Sequence, residues 1–279
     1  MQKTLLICLC LGLSLIARTQ TTPTETKPFV LGSIVQLPSA LLGETRTLNI
    51  YLPEGYTSDD TSRYPVIYLL DGSADEDYIH VVGLVQFANF PWVDLLPKSI
   101  VVGIANVDRK RDFTFPTSIA ADKKQFPTTG GSEKFIAFLE KELQPFIDQN
   151  YRSNAHQTII GQSLGGLLAT EILFNKPGLF DRYLIVSPSL WWNQESLLRQ
   201  EPALSKPDFK AKTEIYVAVG KEGKVMVNDA RALYKKLKSI HHPAMQLEFE
   251  YFGGEDHASI LHQAVYRAFY RFKQNKPKS

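Results

Sequence analysis

A serine flanked by glycines is the first group in the chain that could do chemistry. Residues 161–165 read G-Q-S-L-G, which matches the pattern G-x-S-x-G. A short apolar run precedes the motif at residues 158–160, and a helix-like run follows it at residues 164–174. A tight turn between a strand and a helix pushes its serine into a strained, exposed position. Ser163 is therefore predicted to be a nucleophile, and the alternative is a glycine-rich helix entry without chemistry.

A serine hydroxyl is a weak nucleophile until a neighbouring base removes its proton. Of the six histidines, His257 is the best candidate, because it follows an apolar run and a glycine-rich turn and precedes a helix-like segment. His262 lies one turn further into that segment and is expected to pack or to face solvent. His241 and His242 lie in a loop without further ligands at useful spacing, so no metal site is predicted.

The acid that orients the histidine is expected after the preceding strand, residues 214–219. Glu222 lies in the turn directly after this run, whereas Asp229 lies seven residues later in a helix-like segment. A loop carboxylate can reach the imidazole more readily than one on a helix, so Glu222 is favoured and Asp229 stays the alternative. The resulting order of serine, acid and histidine is that of α/β-hydrolases.

Two backbone N–H groups are needed to stabilise the oxyanion of acyl transfer, each typically contributing about 3 kcal/mol. Leu164 offers one because it follows the serine. Ser73 is predicted to offer the second, because Gly72 frees its amide at the end of an early strand. The alternative for Gly72 is an ordinary glycine between a strand and a loop.

Strand-like and helix-like runs alternate along the chain. Continuous apolar runs are typical of parallel strands that are buried on both faces, and apolar residues three and four apart are typical of helices that pack on a sheet. This alternation predicts an α/β protein with a mostly parallel central sheet and helices on both faces. Together with the order of Ser163, Glu222 and His257, it is the pattern of the α/β-hydrolase fold. The predicted strands are residues 46–52, 66–70, 100–105, 158–160, 183–186, 214–219 and 247–251, and the predicted helices are residues 132–150, 164–174, 226–240 and 258–272.

Three stretches lack a clear period: residues 74–98, 110–131 and 187–212. Each follows a predicted strand. Segments beyond the carboxyl ends of strands build the ligand crevice of open α/β sheets. These stretches are therefore expected to form the walls of the site.

Composition and charge exclude several classes of protein. Hydrophobic residues make up 44% of the 279 residues and charged residues 22%, as in ordinary globular domains. The 31 Lys and Arg against 29 Asp and Glu leave a formal charge of +2, too small for the basic surface that nucleic-acid binding needs. Nucleic acid is therefore not expected as a partner.

The first residues follow the plan of a secretory signal, with Lys3 ahead of the apolar run at residues 4–17. We expect residues 1–19 to be a signal peptide, residues 20–30 an extended leader and residues 31–279 a single domain. Both cysteines lie inside the signal, so the mature chain would hold no thiol. It is expected to be exported to the periplasm or secreted, with no membrane span; the alternative is a buried N-terminal helix.

With these residues assigned, the chain resembles the putative-esterase branch of the α/β-hydrolases, which includes esterase D, mycolyltransferases, feruloyl esterases and hydrolases of ferric trilactone siderophores. The resemblance implies a serine ester hydrolase without a cofactor, acting on a small-molecule ester. Two elements look most like the siderophore-esterase subgroup: R-x-R-D at residues 109–112 and SPSLWW at residues 187–192. The other matching segments are YLLDG at 68–72, VVGIANVDRKRDFT at 101–114, IIGQSLGG at 159–166, VGKEGKVMVNDA at 219–230 and DHAS at 256–259.

Four residues in these segments are candidates for substrate binding. Arg109 and Arg111 could bind an anionic substrate, or at least one of them could pair with a nearby aspartate to hold the loop. Trp191 and Trp192 could stack on an aromatic or sugar ring, or pack the loop onto the core. Phe115 departs from the family pattern by separating the threonine of R-x-R-D-x-T from the following proline. The substrate is therefore left open at this point.

The predicted function is a serine carboxylic-ester hydrolase that works through an acyl-enzyme, with siderophore trilactone-type esters as a candidate substrate class. Feruloyl or acetyl esters of polysaccharides are alternative substrates. An acyltransferase is a further alternative, because the same triad serves it. The alternative from another class is a non-catalytic binding protein with this fold.

Overall fold

The computed structural model describes residues 25–57, 59 and 61–274. The predicted signal peptide at residues 1–19 lies outside the described residues. The chain forms two compact units, which meet in sequence between Leu31 and Gly32. In the first unit the described residues 25–31 form no helix or strand.

The second unit contains an eight-stranded sheet of order β1-β2-β4-β3-β5-β6-β7-β8. The pairs β1–β2 and β2–β4 are antiparallel, and all other neighbouring pairs are parallel. The strands are β1 Ser33–Ser39, β2 Glu44–Tyr51, β3 Tyr64–Leu69, β4 Ile100–Ile104, β5 Ser153–Gln162, β6 Arg182–Val186, β7 Thr213–Gly220 and β8 Met245–Phe252.

Helices fill most of the connections between the parallel strands. The predicted helix at residues 132–150 is a continuous helical stretch with one wider π turn at Leu139–Leu143. No described helix is both long and apolar enough to cross a membrane. The α-helices are α1 Tyr78–Ala88, α2 Arg109–Asp112, α3 Ala120–Gln125, α4 Ser132–Phe138, α5 Gln144–Asn150, α6 Leu164–Asn175, α7 Trp192–Arg199, α8 Lys224–Ser239 and α9 Ile260–Gln274.

Strand β7 illustrates how both faces of the sheet are covered. All eight of its residues are buried. Ile215 belongs to the same hydrophobic cluster as Leu233 of α8, whereas the next residue, Tyr216, packs edge-on against Phe272 of α9 with ring centroids 6.4 Å apart. Successive strand residues point to opposite faces. Helices therefore cover both sides, and the predicted α/β-hydrolase class is confirmed.

Five of the strands and α-helices were missing from the prediction: β1, α1, α2, α3 and α7. Strand β1 lies at the sheet edge, where most of its residues are exposed or half-exposed. Helix α1 lies inside the aperiodic stretch at residues 74–98, because its apolar residues are spread around the helix rather than confined to one stripe. The helix packs against α9 through several residues, so tertiary contacts supply what its local pattern lacks.

The parallel strands bring distant segments to one edge of the sheet. Asp71 follows β3, Ser163 follows β5, Ser187 follows β6, Glu222 follows β7 and His257 follows β8. Parallel strands end on the same side of a sheet, so these five residues lie at one edge. The first and the last of them are 186 positions apart in the chain.

Candidate active site

Ser163 occupies the tight turn between β5 and α6. Its backbone has φ 59° and ψ −118°, which is outside the regions that non-glycine residues prefer. A Cβ at Gly161 would lie 2.3 Å from the carbonyl oxygen of Gly165, so a side chain there would force the turn apart. The turn thus has the strained form that the sequence pattern predicted, and it holds the serine clear of the sheet.

The Ser163 hydroxyl contacts a second serine. Its Oγ lies 3.3 Å from Ser189 Oγ, and the Ser189 N–H donates to the Ser163 carbonyl at 3.0 Å. Ser163 and His257 together line two adjoining cavities. The serine and the predicted base therefore share one opening at the carboxyl edge of the sheet.

His257 is paired with Glu222. Glu222 Oε2 lies 2.5 Å from His257 Nδ1, and 47% of the histidine side chain is exposed against 2% of the glutamate side chain. Burial opposes the charge of Glu222, but hydrogen bonds from His257, Ser187 and the Gly220 N–H, with the charge of His257, outweigh burial and lower its pKa. Glu222 is thus held as a carboxylate against Nδ1, which leaves Nε2 without a hydrogen bond to any residue that the structure describes.

The loop that carries His257 is tied to the nucleophile turn and to β7. The Gln162 side-chain Nε2 donates to the His257 carbonyl oxygen. The Lys221 N–H donates to the Glu255 carbonyl at 2.7 Å. These two bonds tie the loop that carries His257 to the residue before Ser163 and to the residue before Glu222.

Asp229, the alternative acid, lies on α8 and does not pair with His257. It is 5% exposed, and its Oδ2 has no hydrogen-bond partner among the described residues. Burial, with the nearby charge of Glu195, raises the pKa of Asp229 to about 6. The geometry therefore joins Glu222, and not Asp229, to the histidine.

The two candidate oxyanion donors are backbone N–H groups of residues that flank the site. Among the described residues, no acceptor pairs with the N–H of Leu164 or of Ser73. Leu164 is the first residue of α6, where the N–H groups and the positive end of the helix dipole are free to meet an anion. Ser73 follows Gly72, whose own N–H is bound to Ile104 O at 3.0 Å. Both N–H groups are thus left without a partner among the described residues.

Arg109 contacts the protein rather than projecting free into the site. Its guanidinium donates two hydrogen bonds to Asp71, from Nε to Oδ1 at 2.6 Å and from Nη2 to Oδ2 at 2.8 Å. Its Nη2 also lies 3.3 Å from the carbonyl oxygen of Gln162. The guanidinium therefore bridges the end of β3 and the residue before Ser163.

Arg111 and Trp192 lie outside the lining of both cavities. Arg111 binds Glu44 and Asp112, each at 2.7 Å, in an ionic cluster that anchors its loop to β2. Trp192 is fully buried, and its Nε1 donates to Phe115 O at 2.9 Å. Of the two sequence interpretations of these residues, their contacts match loop support rather than substrate binding.

The two cavities differ in chemistry. The first, of about 500 Å³, is called the Trp191 cavity; besides Ser163 and His257 its lining includes Trp191, Met226 and Lys221. The second, of about 410 Å³, is called the Asp71 cavity. It is acidic, with Asp71, Glu76, Asp77 and Arg109 in its lining.

The acidic cavity changes the ionisation of one of its own carboxyl groups. Burial, with the charges of Asp71 and Glu76, raises the pKa of Asp77 to about 6. Ser163 therefore faces two cavities, one with an indole and side chains of both charges and one in which carboxylates predominate.

Among the residues of this site that sequence reasoning missed are Gln162, Ser187 and Ser189. Ser187 and Ser189 belong to the segment SPSLWW, which was noted for its resemblance to relatives and not for chemistry. The segment directly follows a predicted strand, and that position could have indicated them. Within the described ranges, no group of three or more His, Cys, Asp or Glu residues is placed to hold a metal ion.

The sheet, the strained serine turn and the histidine–carboxylate pair define a serine hydrolase of the α/β-hydrolase fold. The family model described as Putative esterase matches residues 39–268. The chain belongs to this family, and it is a carboxylic ester hydrolase.

Individual similar proteins agree with this family assignment. The chain is 33% identical over 245 residues to the ferri-bacillibactin esterase BesA of Bacillus subtilis, covering 81% of this chain and 84% of the relative. The crystal structure of the BES protein from Bacillus cereus is 30% identical, with a TM-score of 0.78 and coverage of 91% and 99% of the two chains. That of an IroE-like serine hydrolase from Shewanella oneidensis is also 30% identical, with a TM-score of 0.77 and coverage of 89% and 82%.

Proposed function

We propose that this esterase hydrolyses the ester bonds of trilactone siderophores through an acyl-enzyme on Ser163, with His257 as base and Glu222 as its acid. The observation that carries the catalytic assignment is the 2.5 Å contact between Glu222 Oε2 and His257 Nδ1, beside a serine at a strained turn. The similarity to a ferri-bacillibactin esterase supports the substrate class.

In the proposed mechanism a rotation of the Ser163 side chain turns its hydroxyl from Ser189 toward His257 Nε2. The imidazole takes the proton as Oγ attacks the ester carbonyl, and the N–H groups of Leu164 and Ser73 receive the oxyanion. His257 then returns the proton to the leaving alcohol oxygen, which leaves the acyl group on Ser163. Water, deprotonated by the same imidazole, then attacks the acyl carbonyl. The bond to Ser163 Oγ breaks, the imidazole returns its proton to Oγ, and the carboxylic acid leaves.

The Trp191 cavity suits the aromatic part of such a substrate. The indole of Trp191 offers a flat face for an aromatic ring, and Lys221 offers a positive charge for phenolate or carboxylate oxygens. We assign Trp191 to substrate binding on this basis. Feruloylated and acetylated saccharides would use the same indole, so they serve as competitors in the test.

The substrate class is tested by comparing purified enzyme on a catecholate trilactone, with and without iron, on feruloylated and acetylated oligosaccharides and on p-nitrophenyl butyrate. We expect kcat/KM for the trilactone to exceed the others by about 100-fold, because binding of its remote arms is used in the transition state. Mass spectrometry identifies the linear products, and an added acceptor alcohol reveals any acyl transfer. Equal or higher kcat/KM for a saccharide ester would contradict the substrate assignment.

The Arg109→Gln variant tests whether this residue supports the site or binds the substrate. We expect kcat to fall about tenfold for both p-nitrophenyl butyrate and an anionic trilactone, because Asp71 loses a charge-assisted hydrogen-bonding partner beside Ser163. Arg111→Gln is the matched control, since Arg111 lines neither cavity, and it should lower thermal stability more than kcat. A loss confined to the anionic substrate would show instead that Arg109 binds it.

We further propose that residues 1–19 direct export, that residues 20–30 are a leader, and that residues 31–279 act as a single domain in the periplasm or outside the cell. The charged-then-apolar order of the first residues supports this proposal. Fractionation of cells that express the full chain, followed by N-terminal sequencing of the active protein, tests it.

A further inference from the structure

Ser187 is a buried serine whose hydroxyl contacts the acid of the site. It directly follows β6, none of its surface is exposed, and its Oγ donates to Glu222 Oε1 at 2.5 Å. The Gly220 N–H donates to the same oxygen at 2.9 Å. The other oxygen, Oε2, is left for His257 Nδ1. Each carboxylate oxygen of Glu222 therefore has its own partners.

We propose that Ser187 is a positioning residue that turns Glu222 Oε2 toward His257 and so acts on catalysis through the carboxylate, without touching substrate. The inference rests on the proposed function, because it assumes that Glu222 serves His257 during acyl transfer. No motif used for the triad contains Ser187, and it lies 35 positions before Glu222 in sequence.

The backbone around Ser187 explains how the hydroxyl is aimed. Its φ is +43°, in the left-handed region that disfavours side chains. Its N–H donates to Ala218 O of β7 at 2.7 Å, and the Ser163 N–H donates to Val186 O at 3.1 Å. Strand β7 and the turn that carries Ser163 are thus hydrogen-bonded to Ser187 and to the residue before it. These bonds hold the strained backbone of Ser187 in place.

The carboxylate is also packed against the backbone of β7. A Cβ at Gly220 would lie 2.9 Å from Glu222 Oε1 and 2.7 Å from Glu255 O. Glycine at this position allows the close approach that brings the carboxylate under both donors. Glu222 therefore has little freedom to turn once Ser187 is in place.

These donors determine the charge of Glu222 as well as the orientation of its carboxylate. Burial opposes ionisation, and the hydrogen bonds from His257, Ser187 and the Gly220 N–H lower the pKa despite it. Removing one donor raises that pKa, so the carboxylate becomes protonated at a higher pH than before. The other charged or titratable side chains of the Trp191 cavity are His257, Lys221 and Asp256, and none of them is altered by the change.

The Ser187→Ala variant tests the inference on p-nitrophenyl butyrate. We expect kcat to fall about tenfold with little change in KM, because a charge-assisted hydrogen bond to the acid is lost. The deficit should grow as the pH is lowered toward the pKa of Glu222, because loss of a donor raises that pKa and the carboxylate becomes protonated at a higher pH than in the parent. A defect of folding alone would give a deficit independent of pH.

Two further variants separate the hydroxyl from the backbone. Ser187→Gly removes the hydroxyl but relieves the positive φ, so it should melt above Ser187→Ala and yet show the same loss of kcat. In a Glu222→Ala background, Ser187→Ala should cost no additional activity, because the acceptor through which it acts is absent. Normal kcat in Ser187→Ala, recovery of kcat in Ser187→Gly, or an undiminished loss in the double variant would each overturn the inference.

Failure of this inference is distinguishable from failure of the proposed function. If Glu222→Ala impairs turnover and Ser187→Ala does not, the triad stands and the role of Ser187 is refuted. If Glu222→Ala itself leaves turnover unchanged, the assignment of the acid fails first.

Discussion

Ser163→Ala is expected to reduce kcat for every ester substrate by roughly 10⁴- to 10⁶-fold, the range found when the nucleophile of a serine triad is removed. Alanine cannot form the acyl-enzyme, and the remaining N–H donors can only stabilise attack by water. Steady-state hydrolysis of p-nitrophenyl butyrate and labelling by a fluorophosphonate probe measure the loss. Turnover within tenfold of the parent enzyme would refute the nucleophile assignment.

The stability of this variant is its internal control. Alanine has the same backbone restrictions as serine at φ 59°, so the strain of the turn is retained and the melting temperature should stay close to that of the parent. Ser239→Ala is a matched serine control, because its hydroxyl lies at the exposed end of α8 and donates to Lys236 O at 2.7 Å. It should label and turn over normally.

Glu222→Gln is expected to lower kcat by about 10⁴-fold, as when the carboxylate of a serine triad is replaced by its amide. The amide removes the charge that stabilises the imidazolium, and its NH₂ group can face His257 Nδ1 only when that nitrogen lacks a proton. The proton then sits on Nε2, where it prevents the ring from accepting one from Ser163. Kinetics at several pH values distinguish this loss from a change in substrate affinity, since KM should change little.

Asp229→Asn provides the matched control for the acid. Asp229 is 5% exposed and lies on α8, and among the described residues His257 pairs with Glu222 rather than with Asp229. Its replacement removes a carboxyl that burial already disfavours as a charge. The variant should keep kcat and gain rather than lose stability at pH values above about 6. A large loss of kcat in Asp229→Asn, with normal kcat in Glu222→Gln, would reverse the assignment of the acid.

Much of the sheet was predictable because its central strands are buried on both faces. Continuous apolar runs indicated β3, β4, β6 and β7, and the structure places all four within one or two residues of the predicted bounds. Strand β1 was not predictable from such a run, because an edge strand needs no continuous apolar surface. Helix α1 was missed for the opposite reason: it is apolar on several sides and shows no single stripe.

In the candidate site, too, some features depend on neighbouring residues and others on distant ones. The pattern around Ser163 and the glycine-rich turn before His257 are local features, because a tight turn restricts which residues can form it. The contacts of the arginines and tryptophans are not local. Arg109 pairs with Asp71, 38 positions away, and Trp192 with Phe115, 77 positions away. No spacing rule links such partners, so the sequence left binding and support open for each.

By itself, the sequence determined the alternation of strands and helices, the serine turn and the order of the groups that follow the strands. These properties depend on residues that are neighbours in the chain. The tertiary structure alone placed Glu222, and not Asp229, beside His257. It also paired Arg109 and Arg111 with carboxylates and brought Ser187 to Glu222. Those outcomes depend on how five strand ends converge at one edge of the sheet, and side chains that meet there are separated by too many residues for local patterns to specify their contacts.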